Sequence, residues 1–390
     1  MKKVQLLDVV KIATEPVSRF EGEKKYVATG DVINNDIISG TMVRYESKPS
    51  RANIAVLTNQ ILFARMRAAR QVVFIDEQNK DYIYSTGFCS LQSKSEAILL
   101  PEYLMFVVCS EMFQKQKDKY AKGAAQKAIS NSSLSKMVIP LPSIHQQREI
   151  VEKLRICSVL LQHREQQIDM IYQFIQSQFY ECFGNPIENE KNWQTLPLAQ
   201  HVEKIETGWS PTCYPNQTPL GKWGVLKLNA ITSGLYREEY NKELPQEFSP
   251  IRKLNIQKDD LLMSRKNTKE IVGACSYVFE SRGNMIFPDL MFRIHTKPSI
   301  DKLFLWGLCS NPSFRQCIAN IAIGSSSSMV SISKRKLLQM KIISPPMGIQ
   351  NQFSEFVRQA IQMRDNFVHS HSECHNLYQS IENSLYETLE

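Results

Sequence analysis

The sequence lacks any apolar run close to the roughly 18 residues that a membrane-spanning helix requires, so we predict no membrane segment and no membrane partner. At the start of the chain, Met1 to Gln5 lead to Asp8 before any long apolar stretch, which argues against a secretory signal. The nine cysteines are scattered, and none of them forms a C-x-x-C pair. We therefore expect free thiols in a cytoplasmic protein, with neither disulfides nor a zinc knuckle.

Motifs for cofactor binding and catalysis are missing as well. No G-x-G-x-x-G and no G-x-x-x-x-G-K-[ST] occurs, so neither a dinucleotide site nor a P-loop is predicted. Asn311-Pro312-Ser313-Phe314 approaches the N-P-P-[YF] motif of DNA amino-methyltransferases, but serine stands in place of the second proline. We interpret Asn311-Pro312 as a turn that interrupts a helix and has no counterpart in the first half of the chain.

Two further candidates favour a structural interpretation. Pro288-Asp289 could open a nuclease motif, but no acid-x-Lys follows it nearby, and we predict a turn. His371 and His375 are spaced as metal ligands on one helix face can be, with His369 and Cys374 beside them. Because this cluster falls on a predicted long helix, we assign it to helix packing and surface. We predict no catalytic residue and no metal site.

What the chain does contain is an internal repeat. The segment Ile61–Arg65 recurs as Leu261–Arg265 at an offset of 200, and the pattern of residues 129–142 recurs over 332–345 at an offset of 203. Such a period exceeds the roughly 20–50 residues of a solenoid unit. It indicates a duplicated domain that presents two similar surfaces.

Charge alternates along the chain in step with this repeat. Residues 1–144 carry a net charge of +6 and residues 191–348 a net charge of +9. By contrast, residues 145–190 carry −3 and residues 349–390 carry −4. The basic blocks suggest a polyanionic partner, and the acidic blocks suggest a protein partner.

The acidic blocks have the apolar spacing of long helices. Apolar or permissive residues recur at intervals of three and four from Ile150 to Cys182, broken only by Arg164, and again from Phe353 to Leu385. We predict one helix over 143–183, with Ser143 and Gln146 as a capping box, and a second over 349–390. Each would be a rod about 60 Å long. Antiparallel packing of the two rods would bury both apolar stripes and hold the basic domains apart.

Each basic block has the pattern of a mixed α/β domain. Strands are predicted at 55–57, 72–75, 136–139, 224–226 and 341–343, and one helix per block at Glu102–Gln116 and at Asp301–Ala319. The predicted fold class is α/β (α+β), with two globular domains, two long antiparallel coiled-coil helices and an internal pseudo-twofold repeat. The predicted boundaries are 1–142, 143–184, 185–346 and 347–390.

Basic residues follow equivalent strands in both copies. A lysine-rich stretch that includes Lys117 also leads into the loop at Gly123, and Lys334, Arg335 and Lys336 lie near the loop at Gly324. Such runs are often only solvated surface. Their recurrence in two basic blocks favours contact with phosphates, while amide and hydroxyl side chains would read base edges. The predicted DNA-contacting residues are Arg65, Arg67, Arg70, Lys122, Gln126, Lys127, Arg265, Lys266, Lys269, Ser325, Ser326 and Lys334.

This arrangement resembles the specificity (S) subunits of type I restriction-modification systems. The resemblance covers essentially the whole chain and rests on residues 61–65, 84–88 and 129–154, with the counterparts 261–265 and 332–353. In each copy a proline-containing strand end leads into a glutamine-rich helix start, after Pro142 and after Pro345. The loops differ between the copies, as expected for domains that read different bases.

The resemblance implies a DNA-reading subunit that is not an enzyme. Each globular domain would be a target-recognition domain for one half of a bipartite, asymmetric site in double-stranded DNA. The helices would set the spacer between the halves and dock two methyltransferase (M) subunits. The M subunits would use S-adenosylmethionine and the restriction (R) subunits ATP and Mg²⁺, while this chain itself would bind no cofactor.

Two other classes remain open. The chain could be part of a restriction-methylation enzyme of the type IIB or IIG kind, although its length and its missing motifs disfavour this. It could also be a coiled-coil scaffold without a DNA role, which the two basic blocks disfavour.

Overall fold

The computed structural model describes residues 2–123, 126–326 and 329–387. The backbone divides into two compact units: unit 1 comprises Met1–Glu165 with His369–Glu390, and unit 2 comprises Gln166–Val368. Each unit contains one globular part together with about half of each of two long helices. Among the described residues, no helix is both long and apolar enough to cross a membrane.

Unit 1 is built from short strands, five helices and two sheets of four strands. Its strands are β1 (Lys2–Gln5), β2 (Val10–Ile12), β3 (Lys24–Val27), β4 (Val32–Ile33), β5 (Asp36–Ile37), β6 (Thr41–Val43), β7 (Ala52–Ile54), β8 (Gln60–Ala64), β9 (Val72–Phe74), β10 (Ile83–Ser85), β11 (Phe88–Ser93) and β12 (Val138–Leu141). Its helices are α1 (Leu6–Val9), α2 (Pro101–Cys109), α3 (Glu111–Tyr120), α4 (Asn131–Leu134) and α5 (Ile144–Phe183), which continues into unit 2.

The main sheet of unit 1 is antiparallel, in the order β2-β11-β8-β9. Its inner strand β8 is buried along its whole length, which explains a continuous apolar run there instead of an alternation. A second sheet has the order β6-β3-β10-β7, and β1 pairs with β12. Phe63 of β8 packs edge-to-face on Phe113 of α3, which joins the main sheet to the helices.

Unit 2 is built in the same way. Its strands are β13 (Thr195–Pro197), β14 (Val202–Thr207), β15 (Gly224–Leu226), β16 (Asn241–Glu243), β17 (Leu261–Ser264), β18 (Lys266–Asn267), β19 (Cys275–Tyr277), β20 (Met285–Ile286), β21 (Met291–Thr296), β22 (Ile323–Ser326), β23 (Met329–Ser331) and β24 (Lys341–Ile343). Its helices are α6 (Lys302–Ser310), α7 (Pro312–Asn320), α8 (Lys334–Gln339) and α9 (Met347–Glu387), which continues into unit 1.

The two units repeat one another element by element. The sheet β14-β21-β17-β19 of unit 2 has the strand order of β2-β11-β8-β9 in unit 1, and the pair β13-β24 corresponds to β1-β12. The helices α6, α7 and α8 correspond to α2, α3 and α4. The mixed α/β class and the internal repeat predicted from the sequence are therefore both present.

The helix predicted within each basic block is in fact two helices. In unit 1 the break is at Ser110, whose hydroxyl accepts a hydrogen bond from the Phe113 N–H at 3.2 Å and caps α3. In unit 2 the break is at Asn311, whose Oδ1 accepts from the N–H groups of Ser313 and Phe314 and caps α7. The single helices predicted at Glu102–Gln116 and Asp301–Ala319 were therefore wrong, because a polar cap starts a new helix in each.

Asn311-Pro312 is a helix-interrupting turn, as predicted, but the expectation that it has no counterpart was wrong. Ser110 performs the same capping in unit 1, and a hydroxyl is harder to recognise in sequence as an equivalent of an amide. The strands at 224–226 and 341–343 lie where they were predicted. The strand predicted at 55–57 lies earlier, at Ala52–Ile54, and that predicted at 136–139 lies slightly later, at Val138–Leu141.

Both long helices agree with the periodicity in the sequence. The helix α5 has 40 residues and α9 has 41, and the predicted capping box is confirmed, since Ser143 and Gln146 exchange hydrogen bonds. Within unit 1, Glu165 of α5 contacts His371 of α9 at 3.5 Å. Within unit 2, Phe179 of α5 packs on Phe353, the ring centroids 5.5 Å apart.

The direction of packing can be read separately in each unit. In unit 2, Tyr172 of α5 accepts a hydrogen bond from Arg364 of α9 at 3.1 Å, and Phe179 meets Phe353. As the residue number rises along α5, it falls along α9, so the two halves that meet in this unit run antiparallel. In unit 1, Cys157 lies beside Cys374 and Glu165 meets His371, in the same sense.

A buried glutamine fixes the start of each long helix. The Gln147 amide accepts a hydrogen bond from the Leu100 N–H at 2.9 Å and donates to the Ile98 and Pro142 carbonyls. The Gln350 amide accepts from the Asp301 N–H at 2.9 Å and donates to the Pro345 carbonyl at 2.7 Å. Each amide thus ties a proline-containing strand end, the start of α2 or α6 and a long helix into one joint.

Replacing Gln350 by Met should destabilise unit 2 by about 3 kcal/mol, because a buried N–H and a carbonyl lose their partners at about 1–3 kcal/mol each. The four tryptophans of the chain all lie in unit 2, at Trp193, Trp209, Trp223 and Trp306. Urea unfolding followed by tryptophan fluorescence therefore reports on this unit. The control is Gln352→Met, an exposed position on the same helix. Equal stability of the two variants would contradict the assignment.

Unit 2 also contains a buried ion network. Arg293 is 5% exposed and donates to Glu206 at 2.7 Å and to Asp260 at 2.9 Å. At the equivalent positions unit 1 has a neutral pair, in which the Ser90 hydroxyl donates to the Gln60 amide oxygen at 3.0 Å. Burial alone would raise the pKa of Glu206, but hydrogen bonds from Lys204, His295 and Arg293 outweigh burial and hold it at about 2.

The lowered pKa of Glu206 predicts a specific acid sensitivity. The unfolded carboxyl has an ordinary pKa of 4.5, so its contribution to stability is present above pH 4.5 and is lost as the pH falls toward 2. Glu206→Gln should lower the free energy of unfolding of unit 2 by about 3 kcal/mol at pH 7 and flatten its pH dependence below 4.5. Tryptophan-detected urea curves at pH 7 and pH 3 measure this. Glu203→Gln, an exposed change on the same strand, should keep the wild-type slope.

Candidate DNA interface

Beyond the end of β8, two segments of unit 1 meet in a small ribbon. Met66 and Lys122 both form bridges to Ala128, and the Arg67 N–H donates to the Lys127 carbonyl at 2.8 Å. We call this ribbon 1, comprising residues 66–70, 122–123 and 126–128. It brings together four residues predicted from sequence to contact DNA, and all four side chains are exposed: Arg67, Lys122, Gln126 and Lys127.

Unit 2 has a fuller version of the same element. The strand β23 pairs with β18 on one side and with β22 on the other, beyond the end of β17. We call these three strands ribbon 2. Lys266 lies in β18 and is half-buried, and Lys269 follows it and is exposed. Ser325 and Ser326 contribute backbone to β22, but their side chains lie outside the described part of the chain, as do Ser327 and Ser328.

The same backbone hydrogen bonds hold both ribbons. The Arg65 N–H donates to the Gly87 carbonyl at 2.9 Å, and the Arg65 carbonyl accepts from the Ile129 N–H at 3.0 Å. In unit 2 the Arg265 N–H donates to Leu290 at 2.8 Å, and the Arg265 carbonyl accepts from Ile332 at 2.9 Å. The ribbons therefore occupy equivalent places in the two units, although their exposed side chains differ.

Arg65 is tied down inside its own unit. Its guanidinium donates to the Phe88 carbonyl at 3.0 Å, to the Asn131 amide oxygen at 2.8 Å and to the Ile129 carbonyl at 3.4 Å. These bonds join the end of β8 to the start of α4 and orient the Asn131 amide, which is exposed. Arg65 thus positions the base of ribbon 1, and its charge is shared among internal acceptors.

In unit 2 the equivalent place holds two cations. Arg265 lies over the Phe292 ring at 5.4 Å and donates to the Asp289 carbonyl at 3.4 Å. Lys334 stands where unit 1 has Asn131, lies 5.9 Å from the same ring and donates to the Ile205 carbonyl at 2.7 Å. The Nε of Arg265 has no hydrogen-bond partner among the described residues. The aromatic face and the carbonyls offset the repulsion between the two cations.

Arg70 and Lys117 brace the loop of ribbon 1. Arg70 pairs with Asp118 at 2.7 Å, and Asp118 also accepts from the Ala68 N–H at 3.0 Å. Lys117 is fully buried and donates to the Ala64 and Ala69 carbonyls. Burial lowers the pKa of Lys117 to about 8, with Asp118 opposing this and Arg70 adding to it. A lysine from the basic stretch is therefore internal here, where its ammonium donates to backbone carbonyls on both sides of the turn.

Several elements of this interface were not found from sequence. The equivalence of Asn131 with Lys334 follows from the 203-residue offset when it is applied residue by residue, whereas the same offset pairs Phe292 with Cys89 and gives no signal for an aromatic ring. The burial of Lys117 has no such signal, because the helix α3 is otherwise rich in exposed lysines. Asp118 was missed for the same reason, since a lone acid in a basic stretch gives no pattern.

The residues of the candidate nuclease and metal motifs make contacts within their own units. Pro288-Asp289 forms a turn, in which Asp289 bonds the Ser210 hydroxyl. His371 and His375 stack at 6.5 Å on α9, and His371 faces Glu165. Among the residues that the structure describes, no group of three or more His, Cys, Asp or Glu side chains is placed to hold a metal ion.

Comparison with known proteins gives one protein-family match and several relatives. The family described as the type I restriction modification DNA specificity domain matches residues 1–170. The chain is 29% identical over 167 residues to the type I restriction enzyme EcoEI specificity subunit of Escherichia coli, an alignment that covers 42% of this chain and 28% of that protein. It is 21% identical over 292 residues to the EcoKI specificity subunit of E. coli strain K12, an alignment that covers 71% of this chain and 61% of that protein. The chain thus spans less than two thirds of the length of these relatives.

Two solved structures share the fold over nearly the whole chain. One comes from work on complex assembly and conformational transition of the type I R-M system, with a TM-score of 0.57 and 17% identity, and covers 99% of this chain and 97% of its own. The other is the type I restriction-modification S subunit from M. genitalium, with a TM-score of 0.57 and 12% identity. The match covers 98% of this chain and 95% of that one.

Proposed function

We propose that the chain is a specificity subunit of a type I restriction-modification system, and that it selects the DNA site of that system without catalysing a reaction itself. The observation that carries the proposal is the repeated frame with two different exposed ribbons, one in each unit. One frame with two surfaces suits a site made of two unequal halves. Each globular part would bind one half-site in double-stranded DNA.

The ribbons are the elements we assign to the DNA. In ribbon 1, Arg67, Lys122 and Lys127 project from paired backbone, and no ion pair to them is found within the described ranges. Their charges are therefore available for phosphates, and their amide neighbours Gln126 and Asn131 for base edges. Arg65 and Arg265 would position the ribbons through their internal hydrogen bonds and would not contact the DNA themselves. In ribbon 2, Lys266, Lys269 and Lys334 supply the cations, with Ser325 and Ser326 as proposed further contacts.

The long helices suit a spacer between the two halves. An α-helix of about 40 residues is about 60 Å long, and the antiparallel contacts within each unit are those of a paired rod. We propose that this coiled-coil pair sets the distance between the half-sites, with globular domains bounded at 1–142 and 185–346. Two methyltransferase subunits would dock on the helices and use S-adenosylmethionine, and restriction subunits would add ATP- and Mg²⁺-dependent cleavage. We propose that no cofactor binds this chain.

Removing two exposed cations of ribbon 1 should reduce the salt dependence of DNA binding. For Arg67→Gln with Lys127→Gln, the slope of log K against log salt should fall by about 0.9 for each lost phosphate contact, about 2 in total. Gel shifts on random duplex DNA over a range of salt measure this, with the methyltransferase subunit present. A matched double control in the same unit is Lys11→Gln with Lys136→Gln, both exposed and outside the ribbon and the long helices. Equal slopes in the two double variants would overturn the assignment.

Exchange of one globular part should change one half-site only. We expect that replacing residues 1–142 by those of another family member alters one half of the modified sequence and preserves the other half and the spacer. Genome-wide mapping of methylated adenines, with the methyltransferase subunit co-expressed, reads both halves and the gap together. A change in both halves would refute modular reading, and absence of any complex with the methyltransferase subunit would refute the proposed function.

A further inference from the structure

A polar cleft in unit 1 lies beside the junction of α2 and α3, away from ribbon 1. It encloses 540 Å³ and is lined by α3, by the C-terminal part of α9 and by the loops around β4 and β9. The side chains that matter are Glu111 and Gln114 of α3, Glu382 of α9 and Gln71. All four offer oxygen atoms, so the lining is rich in hydrogen-bond acceptors.

Two of these acceptors lack a donor. Gln114 is 2% exposed, and its amide nitrogen donates to the Val108 carbonyl at 2.7 Å, which leaves its oxygen at the other end of the amide. That oxygen and the amide oxygen of Gln71 have no hydrogen-bond partner among the described residues. A buried acceptor without a donor costs about 1–3 kcal/mol, so a donor brought by a ligand would recover this energy.

The charged groups of the cleft point to the same ligand chemistry. The Glu382 carboxylate accepts from the Glu111 N–H at 2.7 Å, and burial raises its pKa above the ordinary value. A desolvated carboxylate is stabilised strongly by a cation close by. The cation that lines the cleft, Arg70, is already paired with Asp118. Glu111 is likewise paired with Lys115 at 2.9 Å, so the negative charge that the cleft offers to a ligand is that of Glu382.

The second unit shows that this lining is not required by the shared frame. Arg315 stands in unit 2 where unit 1 has Gln114, and Pro312 stands where unit 1 has Glu111, as fixed by the equivalent caps Asn311 and Ser110. The corresponding cleft of unit 2 encloses 390 Å³, and its lining includes Arg315 and Arg237 as well as Asp169 and Gln176. The charged lining is thus two arginines and one carboxylate in unit 2, against one arginine and two carboxylates in unit 1.

We propose that the cleft of unit 1 binds an ammonium or guanidinium group carried on an alkyl stem. The cation would pair with Glu382 and donate to the oxygens of Gln114 and Gln71, while Val32 and Ile33 at the rim would contact the stem. This proposal does not rest on DNA recognition. The same chemistry is offered by a free aliphatic amine and by a lysine or arginine side chain of another protein.

Agmatine, which has a guanidinium and an ammonium on a butyl stem, is the probe. Calorimetric titration of the full chain at constant ionic strength should give saturable binding of agmatine, and none of the uncharged analogue N-butylacetamide. Repeating the titration with N-acetylarginine amide distinguishes the sources. Binding of that compound as tight as that of agmatine indicates a side-chain ligand, and binding of agmatine alone indicates a free amine. No saturable binding of either cation would overturn the proposal.

Variants locate the binding. Glu382→Gln should weaken agmatine at least about tenfold, whereas Glu373→Gln, an exposed carboxylate on the same helix paired with His369, should change it little. Gln114→Arg introduces the residue that unit 2 carries at the equivalent position, and should abolish binding. Hydrogen exchange of unit 1 checks that each variant is folded. Equal affinities for Glu382→Gln and Glu373→Gln would place the cation elsewhere and refute the site.

Discussion

The buried glutamine amide at the start of each long helix is the joint on which the rest of each unit depends. Gln147 and Gln350 each bond a strand end, the start of a shorter helix and their own helix at once. Such an amide is satisfied only in one position, because any shift leaves buried groups unpaired at about 1–3 kcal/mol each. The residue at which the helix begins, and the face it turns toward the sheet, are therefore fixed at this point. The apolar stripe of the helix then packs where the sequence places it.

A frame held by backbone hydrogen bonds can carry different surfaces. The bonds made by the N–H and carbonyl of Arg65 and Arg265 are the same in both units, and so are the serine caps Ser130 and Ser333. These bonds do not depend on which side chains the ribbons expose. Substitutions on the ribbons can then change what is bound without moving the strands that hold them. This separation explains how one fold can occur twice in a chain with unlike charges at equivalent positions.

The sequence predicted the repeat, the mixed α/β class and both long helices because these depend on periodic patterns that extend over many residues. It singled out Arg67, Lys122 and Lys127, which the structure brings together in ribbon 1, because basic residues follow equivalent strands in both copies. It predicted the break at Asn311 from the proline that follows, but not the break at Ser110, because that cap is a single polar side chain within an otherwise helical pattern. It also placed Lys117 in the basic surface, whereas the structure buries this side chain. Its ammonium is held by the carbonyls of Ala64 and Ala69, which are distant in sequence. Contacts between distant segments, unlike periodicity, leave no local signal.

The interiors of the two units have diverged as coupled sets. Where unit 1 has the neutral pair Gln60 and Ser90, unit 2 has Arg293 bonded to Glu206 and Asp260. Removing one member of a buried ion pair costs about 3–5 kcal/mol, because the remaining charge stays buried without its partner. A single strand from one unit therefore cannot replace its counterpart in the other, since β17 transferred with the preceding Asp260 would lack Arg293, which lies in β21. A complete globular part carries all members of its network together. The natural unit of exchange in this fold is consequently the whole globular part, and the joint at the long helix is where exchange leaves every buried group satisfied.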